Sequence, residues 1–179
     1  MKTDFFLLTI GFLFIFSFTG KTQNNMTDKR VVKQVDFGRY MGKWYEIARY
    51  DHKFERNLVG VTATYSMRDD GKIKVVNRGY KGSIDGKLSE VIGKAKIPDP
   101  DEPAKLKVSF FLFFYGDYFI LELDKDYQWA IIGSSSDKYL WILSRTPEMD
   151  ETLYNQLLYN LTKRGYDVSK LIIVPQKRV

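Results

Sequence analysis

The sequence predicts an all-β protein, an eight-stranded antiparallel up-and-down barrel with one C-terminal α-helix packed outside and a short final strand. Two observations lead to this fold class. Short segments rich in β-branched and aromatic residues follow one another with turn residues between them, and apolar and polar side chains alternate within them. A helical repeat occurs only once, near the C-terminus. The chain length suits a single domain with a sizeable core.

The strands are expected to be short and joined by short links. Asp69, Asp70 and Gly71 form a tight turn between two of them, and Leu106 and Val108 alternate with lysines in another. Eight such strands close into a barrel whose interior holds one small ligand or is filled by side chains. The predicted ranges are 44–51, 59–68, 72–81, 87–97, 104–112, 117–124, 127–134 and 138–145.

One segment has the features of a helix. Thr146 can cap its N-terminus, Pro147 suits the first helical position and Gly165 follows as a stop. Apolar residues that share one face should pack on the outside of the barrel; they are Met149, Leu153, Tyr154, Leu157, Leu158 and Leu161. The apolar stretch 171–174 can add an edge strand.

The N-terminus predicts export. Lys2 precedes an uncharged, mostly apolar run over residues 5–18, which is typical of a secretory signal peptide and shorter than the roughly 20 residues of a membrane-spanning helix. We assign residues 1–20 to a signal peptide, with retention as an anchor as the alternative. A polar leader is expected over residues 21–35 and the barrel domain over residues 36–175.

The composition argues against several kinds of chemistry. The chain contains no cysteine, which excludes disulfides, thiolate metal sites, cysteine nucleophiles and a lipidated N-terminal cysteine. His52 is the only histidine, so we expect no catalytic residues, no metal site and no cofactor. The net charge is +6, with Lys and Arg spread along the chain, which favours a solvated barrel surface and some attraction to anionic surfaces. No nucleic-acid recognition motif is present.

Three segments resemble the motifs of the lipocalin family, in the family's order and spacing. Residues 42–49 (GKWYEIAR) resemble its opening Gly-x-Trp motif, residues 124–130 (DKDYQWA) its middle motif, and residues 141–147 (WILSRTP) its last motif. Residues 76–80 (VNRGY) and 140–147 resemble, in particular, the bacterial lipocalin and apolipoprotein D group. The resemblance implies a barrel that binds one lipid-like molecule. Bacterial lipocalins are commonly anchored through an N-terminal lipidated cysteine, which this chain lacks.

The first and last motifs predict the closed end of the barrel. Gly42 allows close backbone approach where the chain enters the first strand. Strand counting places Trp44 and Arg145 at the same end, where they can form a cation–π pair. We interpret these three residues as a structural signature rather than as a chemical site.

Strand direction puts the open end at the links 52–58, 81–86, 112–117 and 134–138. Alternation then predicts an apolar ligand-binding lining with a few polar groups, formed by Ala63, Tyr65, Val75, Asn77, Val91, Gly93, Val108, Phe110, Ile120, Tyr139 and Trp141. Such a lining suits a fatty acyl chain. The alternative is that the large side chains simply fill the barrel.

Two groups of residues are expected at the mouth. His52 and Arg56, with Lys53, can bind a carboxylate or phosphate head group, or can be ordinary solvated loop charges. Phe113 and Tyr115 belong to an aromatic run that should form an exposed rim or fold inward as a lid. By alternation, Glu46 and Glu122 are also expected to face inward.

The leading hypothesis is therefore a binding protein, not an enzyme, that stores or carries a fatty acid, lysophospholipid or similar lipid in the periplasm, at the outer membrane or outside the cell. One alternative is a module with a filled barrel that contacts a protein or a membrane surface. A lipocalin-type enzyme is disfavoured because the chain has neither a cysteine nor a second histidine. The sequence does not specify an oligomeric state.

Overall fold

The computed structural model describes residues 26–177, so the predicted signal peptide lies outside the described residues. The strands are β1 (Gly42–Tyr50), β2 (Leu58–Met67), β3 (Ile73–Lys81), β4 (Leu88–Lys96), β5 (Lys105–Phe111), β6 (Phe114–Leu123), β7 (Trp129–Gly133), β8 (Leu140–Ser144) and β9 (Leu171–Ile173). The helices are α1 (Phe37–Tyr40) and α2 (Glu151–Lys163), and a 3-10 turn covers Val168–Lys170. Each predicted strand corresponds to an observed one.

Strands β1 to β8 form a closed antiparallel barrel. Each strand pairs with the next along the chain, and β8 returns to pair with β1. The first half of β1 also pairs with β2, with Trp44 opposite Ala63, whereas its second half pairs with β9, with Ala48 opposite Ile173. The predicted barrel is confirmed, and β9 is bonded outside it. Within residues 26–177, no helix is long and apolar enough to cross a membrane.

Alternation along the strands divides the apolar side chains between two cores. One fills the lower part of the barrel interior and includes Trp44, Tyr65, Val75, Leu106, Ile120 and Ile132. The other lies between the outer wall and α2 and includes Ile131, Leu140, Ile142, Leu157 and Leu161. Burying each α2 leucine contributes about 1.5–3 kcal/mol before entropy is subtracted. The helix is thus fixed to the outer wall and leaves the interior free.

The start of α2 differs from the prediction. The Thr146 hydroxyl donates a hydrogen bond to the Glu148 carbonyl at 2.6 Å, which holds this segment in a turn. Asp150 caps the helix instead, because its carboxylate accepts the Leu153 N–H at 3.0 Å. Pro147 therefore precedes the helix, while Gly165, with φ +83°, follows its end as predicted.

The segment before α1 is part of the domain, which differs from the predicted polar leader. Val31, Val32 and Val35 pack against the interior core. The Val32 N–H donates to the Ile120 carbonyl at 3.0 Å. Three valines in a polar stretch were too sparse to indicate a strand or a helix, and their burial depends on tertiary contacts.

Glu122 points outward, which corrects the expected inward pair with Glu46. A register shift between Ile120 and Glu122 in β6 reverses the alternation at this point. The Glu122 carboxylate accepts hydrogen bonds from Arg164 Nε at 2.8 Å and from Asn160 Nδ2 at 3.1 Å. It therefore ties the C-terminal end of α2 to the barrel wall.

Candidate ligand-binding site

The floor of the barrel is closed by an arginine that lies across a tryptophan. The Arg145 guanidinium carbon is 3.8 Å from the centre of the buried Trp44 ring, so the predicted cation–π pair is confirmed. The guanidinium donates to the carbonyls of Arg39, Lys43 and Tyr127 at 2.6, 2.9 and 3.1 Å. These bonds fasten α1, β1 and the β6–β7 link together.

Gly42 has the conformation and the close approach that its position in the motif predicted. Its φ is +94°, a region that residues with a side chain rarely adopt. An added Cβ would lie 3.4 Å from Arg145 Nη1. The glycine thus leaves room for the arginine that closes the floor.

Above the floor, three tyrosine hydroxyls form a chain inside the barrel. Tyr118 is hydrogen-bonded to Tyr40 at 2.7 Å and to Tyr65 at 2.9 Å. Burial raises the pKa of Tyr118 well above its ordinary value, and its two phenolic neighbours raise it further. The phenols therefore remain neutral hydrogen-bonding groups at the base of the interior.

The strand registers place the predicted lining residues on the inner face. Tyr65, Val75 and Ile120 are buried in the lower interior. Higher up, strand pairing aligns Ala63, Asn77 and Val91 across three neighbouring strands. The remaining inner-face residues are Gly93, Val108, Phe110, Tyr139 and Trp141.

Solvent accessibility changes along this inner wall. Val75 is 2% exposed in the lower half, whereas Val91 is 43% exposed although both face inward. Phe110 is 39% exposed and lies over Gly93, where an added Cβ would be 2.5 Å from its ring. The upper half of the inner wall is thus apolar and reachable from the mouth.

The sequence left His52 either as a head-group contact or as a solvated loop charge, and the structure separates it from Lys53 and Arg56. The side chains of Lys53 and Arg56 are exposed, and Arg56 pairs with Asp51 at 3.0 Å. His52 instead turns inward and is 8% exposed, with its ring 5.2 Å from Trp141 and 5.5 Å from Tyr139. The aromatic wall made by these residues holds the imidazole under the mouth.

His52 belongs to a buried charged cluster, defined here as Glu46, Arg49, His52 and Glu55. Arg49 Nη1 donates to the Glu46 carboxylate at 2.6 Å, and Arg49 Nη2 donates to the Glu55 carbonyl at 2.8 Å. The Glu55 carboxylate accepts Trp141 Nε1–H at 3.0 Å and lies 3.0 Å from His52 Nε2. The sequence indicated the inward position of Glu46 but gave no signal that these residues would meet.

Burial raises the pKa of both carboxyl groups, but their polar and charged neighbours leave the two pKa values shifted in opposite directions. Burial raises the pKa of Glu46 well above its usual value, the Glu55 charge adds to this, and Arg49 offsets only part of the effect. Burial also raises the pKa of Glu55, but the N–H groups of His52 and Trp141 outweigh it and leave a lowered pKa. Glu55 is therefore the charged acid of the cluster.

Several buried polar atoms under the mouth have no well-aligned hydrogen-bond partner among residues 26–177. They are Arg49 Nε, both ring nitrogens of His52 and Asn77 Oδ1. His52 Nε2 is close to Glu55, but the N–H direction is off the oxygen. Buried polar groups are normally paired, so these atoms mark a place where a ligand or water belongs.

An exposed apolar rim surrounds the mouth, defined here as Phe54, Phe111, Leu112, Phe113 and Phe114. Phe113 is 86% exposed and Phe54 is 80% exposed. Tyr115 differs from the prediction, because Gly116 pairs with the inward Val108 and so turns Tyr115 to the outer wall, where Lys96 Nζ lies 4.8 Å from its ring. The sequence did not single out Phe54, a lone aromatic among charged residues.

The outer wall also has a groove beside the C-terminal segment, on the opposite face of the strands. Its volume is about 450 Å³, and its lining includes Lys43, Thr62, Thr64 and Arg78. The same lining includes the rings of Tyr45 and Tyr80, but its cationic side chains and its position on the outer wall make the groove less suited to enclose a hydrocarbon chain. The inner wall is the better candidate for a lipid tail.

The architecture defines a calyx, an antiparallel barrel with one sealed end and one accessible end. The chain belongs to the lipocalin family, because the family model described as a lipocalin-like domain matches residues 35–176. It is 48% identical over 146 residues to the outer membrane lipoprotein Blc of Escherichia coli strain K12, covering 82% of each chain. It is 35% identical over 149 residues to apolipoprotein D of Rattus norvegicus, covering 79% of this chain and 77% of the relative.

Solved structures agree with this fold. Lobster apocrustacyanin A1 superimposes with a TM-score of 0.65 at 18% identity, covering 88% of this chain and 94% of that chain. Lipocalins bind small hydrophobic ligands and are typically binding or transport proteins. No group of His, Cys, Asp and Glu suited to holding a metal ion occurs within residues 26–177.

Proposed function

We propose that this protein binds and carries a lipid-like amphiphile, such as a fatty acid or a lysophospholipid, inside its barrel. The observation that carries the proposal is the apolar upper inner wall, which faces the interior and yet remains accessible to solvent at Val91 and Phe110. Each methylene of a hydrocarbon tail buried there contributes about 0.8 kcal/mol before entropy is subtracted. The polar groups under the mouth would orient the head of the same molecule.

The proposed place of action is the cell envelope or the outside of the cell. The predicted signal peptide supports export, and a relative at 48% identity is named as an outer membrane lipoprotein. This chain has no cysteine to carry a lipid. The apolar rim and the net charge of +6 would favour contact with a membrane.

The function can be tested with two neighbouring residues of β4 that face opposite sides of the wall. Val91 faces the interior and Ile92 faces outward, and they are 43% and 55% exposed. We expect Val91→Trp to fill the upper interior and weaken the binding of a fluorescent fatty acid at least about tenfold, equivalent to about 1.4 kcal/mol. The matched variant Ile92→Trp should bind as the wild type does, and both should keep their melting temperatures within a few degrees.

Two outcomes would contradict the proposal. Equal binding by both variants would mean that the probe does not enter the barrel. If, in addition, an organic extract of the purified protein contained no amphiphile, the alternative of an interaction module with a filled barrel would be favoured. Turnover of a bound lipid would overturn the assignment as a binding protein rather than an enzyme.

A further inference from the structure

The charged cluster contains hydrogen-bonding groups that the described residues leave unused. Arg49 is 2% exposed and uses both terminal nitrogens, but its Nε–H has no partner within residues 26–177. His52 is 8% exposed, and its Nδ1 is also unpartnered there. An unsatisfied buried donor costs about 1–3 kcal/mol. Two unpartnered polar atoms in one buried cluster under the mouth indicate a site for a polar group.

The position of Glu55 fixes which nitrogen of His52 carries the proton. Nε2 lies 3.0 Å from the Glu55 carboxylate, and a lone pair at that distance from a carboxylate would be repelled. Nε2 is therefore protonated, and Nδ1 has the free lone pair of the neutral ring. If the ring takes up a second proton, Nδ1 becomes a second donor in the cluster that Glu55 shares with Arg49.

We propose that Arg49 and His52 form a head-group site for an acidic amphiphile, and that an anionic head group binds together with one proton on His52 Nδ1. The inference rests on the proposed function, since the tail of the ligand is taken to occupy the inner wall. The anion would accept hydrogen bonds from Arg49 Nε–H and from the newly protonated Nδ1. The proton comes from solvent, and no covalent bond is made or broken.

Charge in the cluster explains why the proton accompanies the anion. Glu55 is the charged acid of the cluster and Arg49 is its cation, so a further negative head group would leave this buried site with a net negative charge. Besides Glu55, the charged or titratable groups facing this region are Glu46 and Arg49 on β1, Tyr65 on β2 and Tyr139 before β8. A proton on His52 cancels the added charge, and the Glu55 carboxylate stabilises the resulting imidazolium.

The test compares three probes that share a tail and differ in the head group. They are a long-chain alkyl sulfonate, which stays anionic at every pH used, a fatty acid, and its uncharged methyl ester. Between about pH 6 and pH 9 we expect the Kd of the sulfonate to rise with pH. Because one proton is taken up on binding, this rise is limited to about tenfold per pH unit. The ester should bind with a constant Kd. Titration calorimetry in two buffers of different ionisation enthalpy should show uptake of about one proton by the sulfonate complex.

His52→Gln is the decisive variant, and Arg56→Gln is its matched control. His52→Gln should weaken sulfonate binding at low pH and abolish its pH dependence, while ester binding is retained. Arg56 lies in the same link but is exposed and paired with Asp51, so Arg56→Gln should keep the wild-type slope.

The possible failures are distinguishable. A pH slope that persists in His52→Gln would place the proton elsewhere and overturn the inference. Sulfonate binding that is independent of pH in the wild type would overturn it without any variant. If none of the three probes binds, it is the proposed function that fails.

Discussion

The two ends of the barrel differ in whether their buried polar groups are hydrogen-bonded within the protein. At the floor, Arg145 donates to several carbonyls, Trp44 Nε1 donates to the Tyr40 carbonyl at 2.9 Å, and the tyrosine hydroxyls bond to one another. At the mouth, Arg49 Nε and the His52 ring lack aligned partners within the described part of the chain. Since folding alone favours satisfied polar groups, the difference separates an end whose polar groups are satisfied within the protein from the end at which we propose that a ligand binds.

The aromatic residues show the same contrast. Trp44 is fully buried and Tyr40 is 1% exposed, whereas Phe113 keeps most of its surface in solvent. Apolar area contributes to stability only where it is removed from water. The aromatic residues of the rim therefore add little to folding, and their exposure is better explained by contact with something outside the molecule.

The largest expected effect is on stability at the floor. Trp44→Ala should lower the free energy of unfolding by about 3–5 kcal/mol, because it removes a fully buried ring and the surface on which Arg145 rests. Phe113→Ala removes a comparable ring at the mouth and should change the free energy by less than about 0.5 kcal/mol. Urea unfolding at neutral pH measures both. Similar losses in the two variants would contradict the division between a structural and a functional end.

A smaller effect is expected at the tyrosine chain. Tyr118→Phe leaves the hydroxyls of Tyr40 and Tyr65 without their shared partner, which should cost about 1–3 kcal/mol at pH 7. The exposed Tyr159 provides the control, and Tyr159→Phe should leave stability unchanged.

The same tyrosines predict how the wild type responds to alkali. Burial raises the pKa of Tyr118 and Tyr65 above the ordinary value of 10.0 and raises that of Tyr50 to about 12. A phenol with a raised pKa in the folded state stabilises the protein fully below pH 10, and this contribution is lost as the pH rises further. Urea midpoints should therefore fall between about pH 10 and pH 12. A midpoint that is flat across this interval would contradict the burial of these phenols.

The positions of the side chains at the floor could be predicted from the sequence better than those at the mouth. Trp44 was predictable because it lies on a regular strand, and Gly42 and Arg145 were predictable because the first and last motifs place them at the ends of strands that meet at the floor. The inward position of His52 was not predictable because the residue lies in an irregular link, where no periodicity distinguishes an inward ring from a solvated one. Bulges had a similar effect, since the register shift before Glu122 reversed an alternation that no residue type nearby marks as interrupted.

The smallest expected effect on stability is at the rim, where we expect a large effect on membrane contact. The double variant Phe113→Ser and Phe114→Ser removes two side chains that are 86% and 76% exposed, so the free energy of unfolding should stay within about 0.5 kcal/mol of the wild type. Partial insertion of the two rings into a bilayer would supply about 1.5 kcal/mol, so the variant should bind phosphatidylglycerol vesicles roughly tenfold more weakly.

The matched control substitutes serine for Ile172 and Ile173, which are 41% and 60% exposed but lie on β9, bonded outside the barrel, and not on the apolar rim. Added salt should weaken the attraction due to the +6 charge in all three proteins, since the screening length is already about 8 Å at physiological ionic strength. The difference between the rim variant and the other two should persist at high salt, because insertion of the rings is not electrostatic. If the rim variant co-sediments with vesicles as the wild type does at both salt concentrations, the rim does not dock on membranes. If its vesicle binding falls while a soluble fatty acid still binds, the rim and the interior have separate roles.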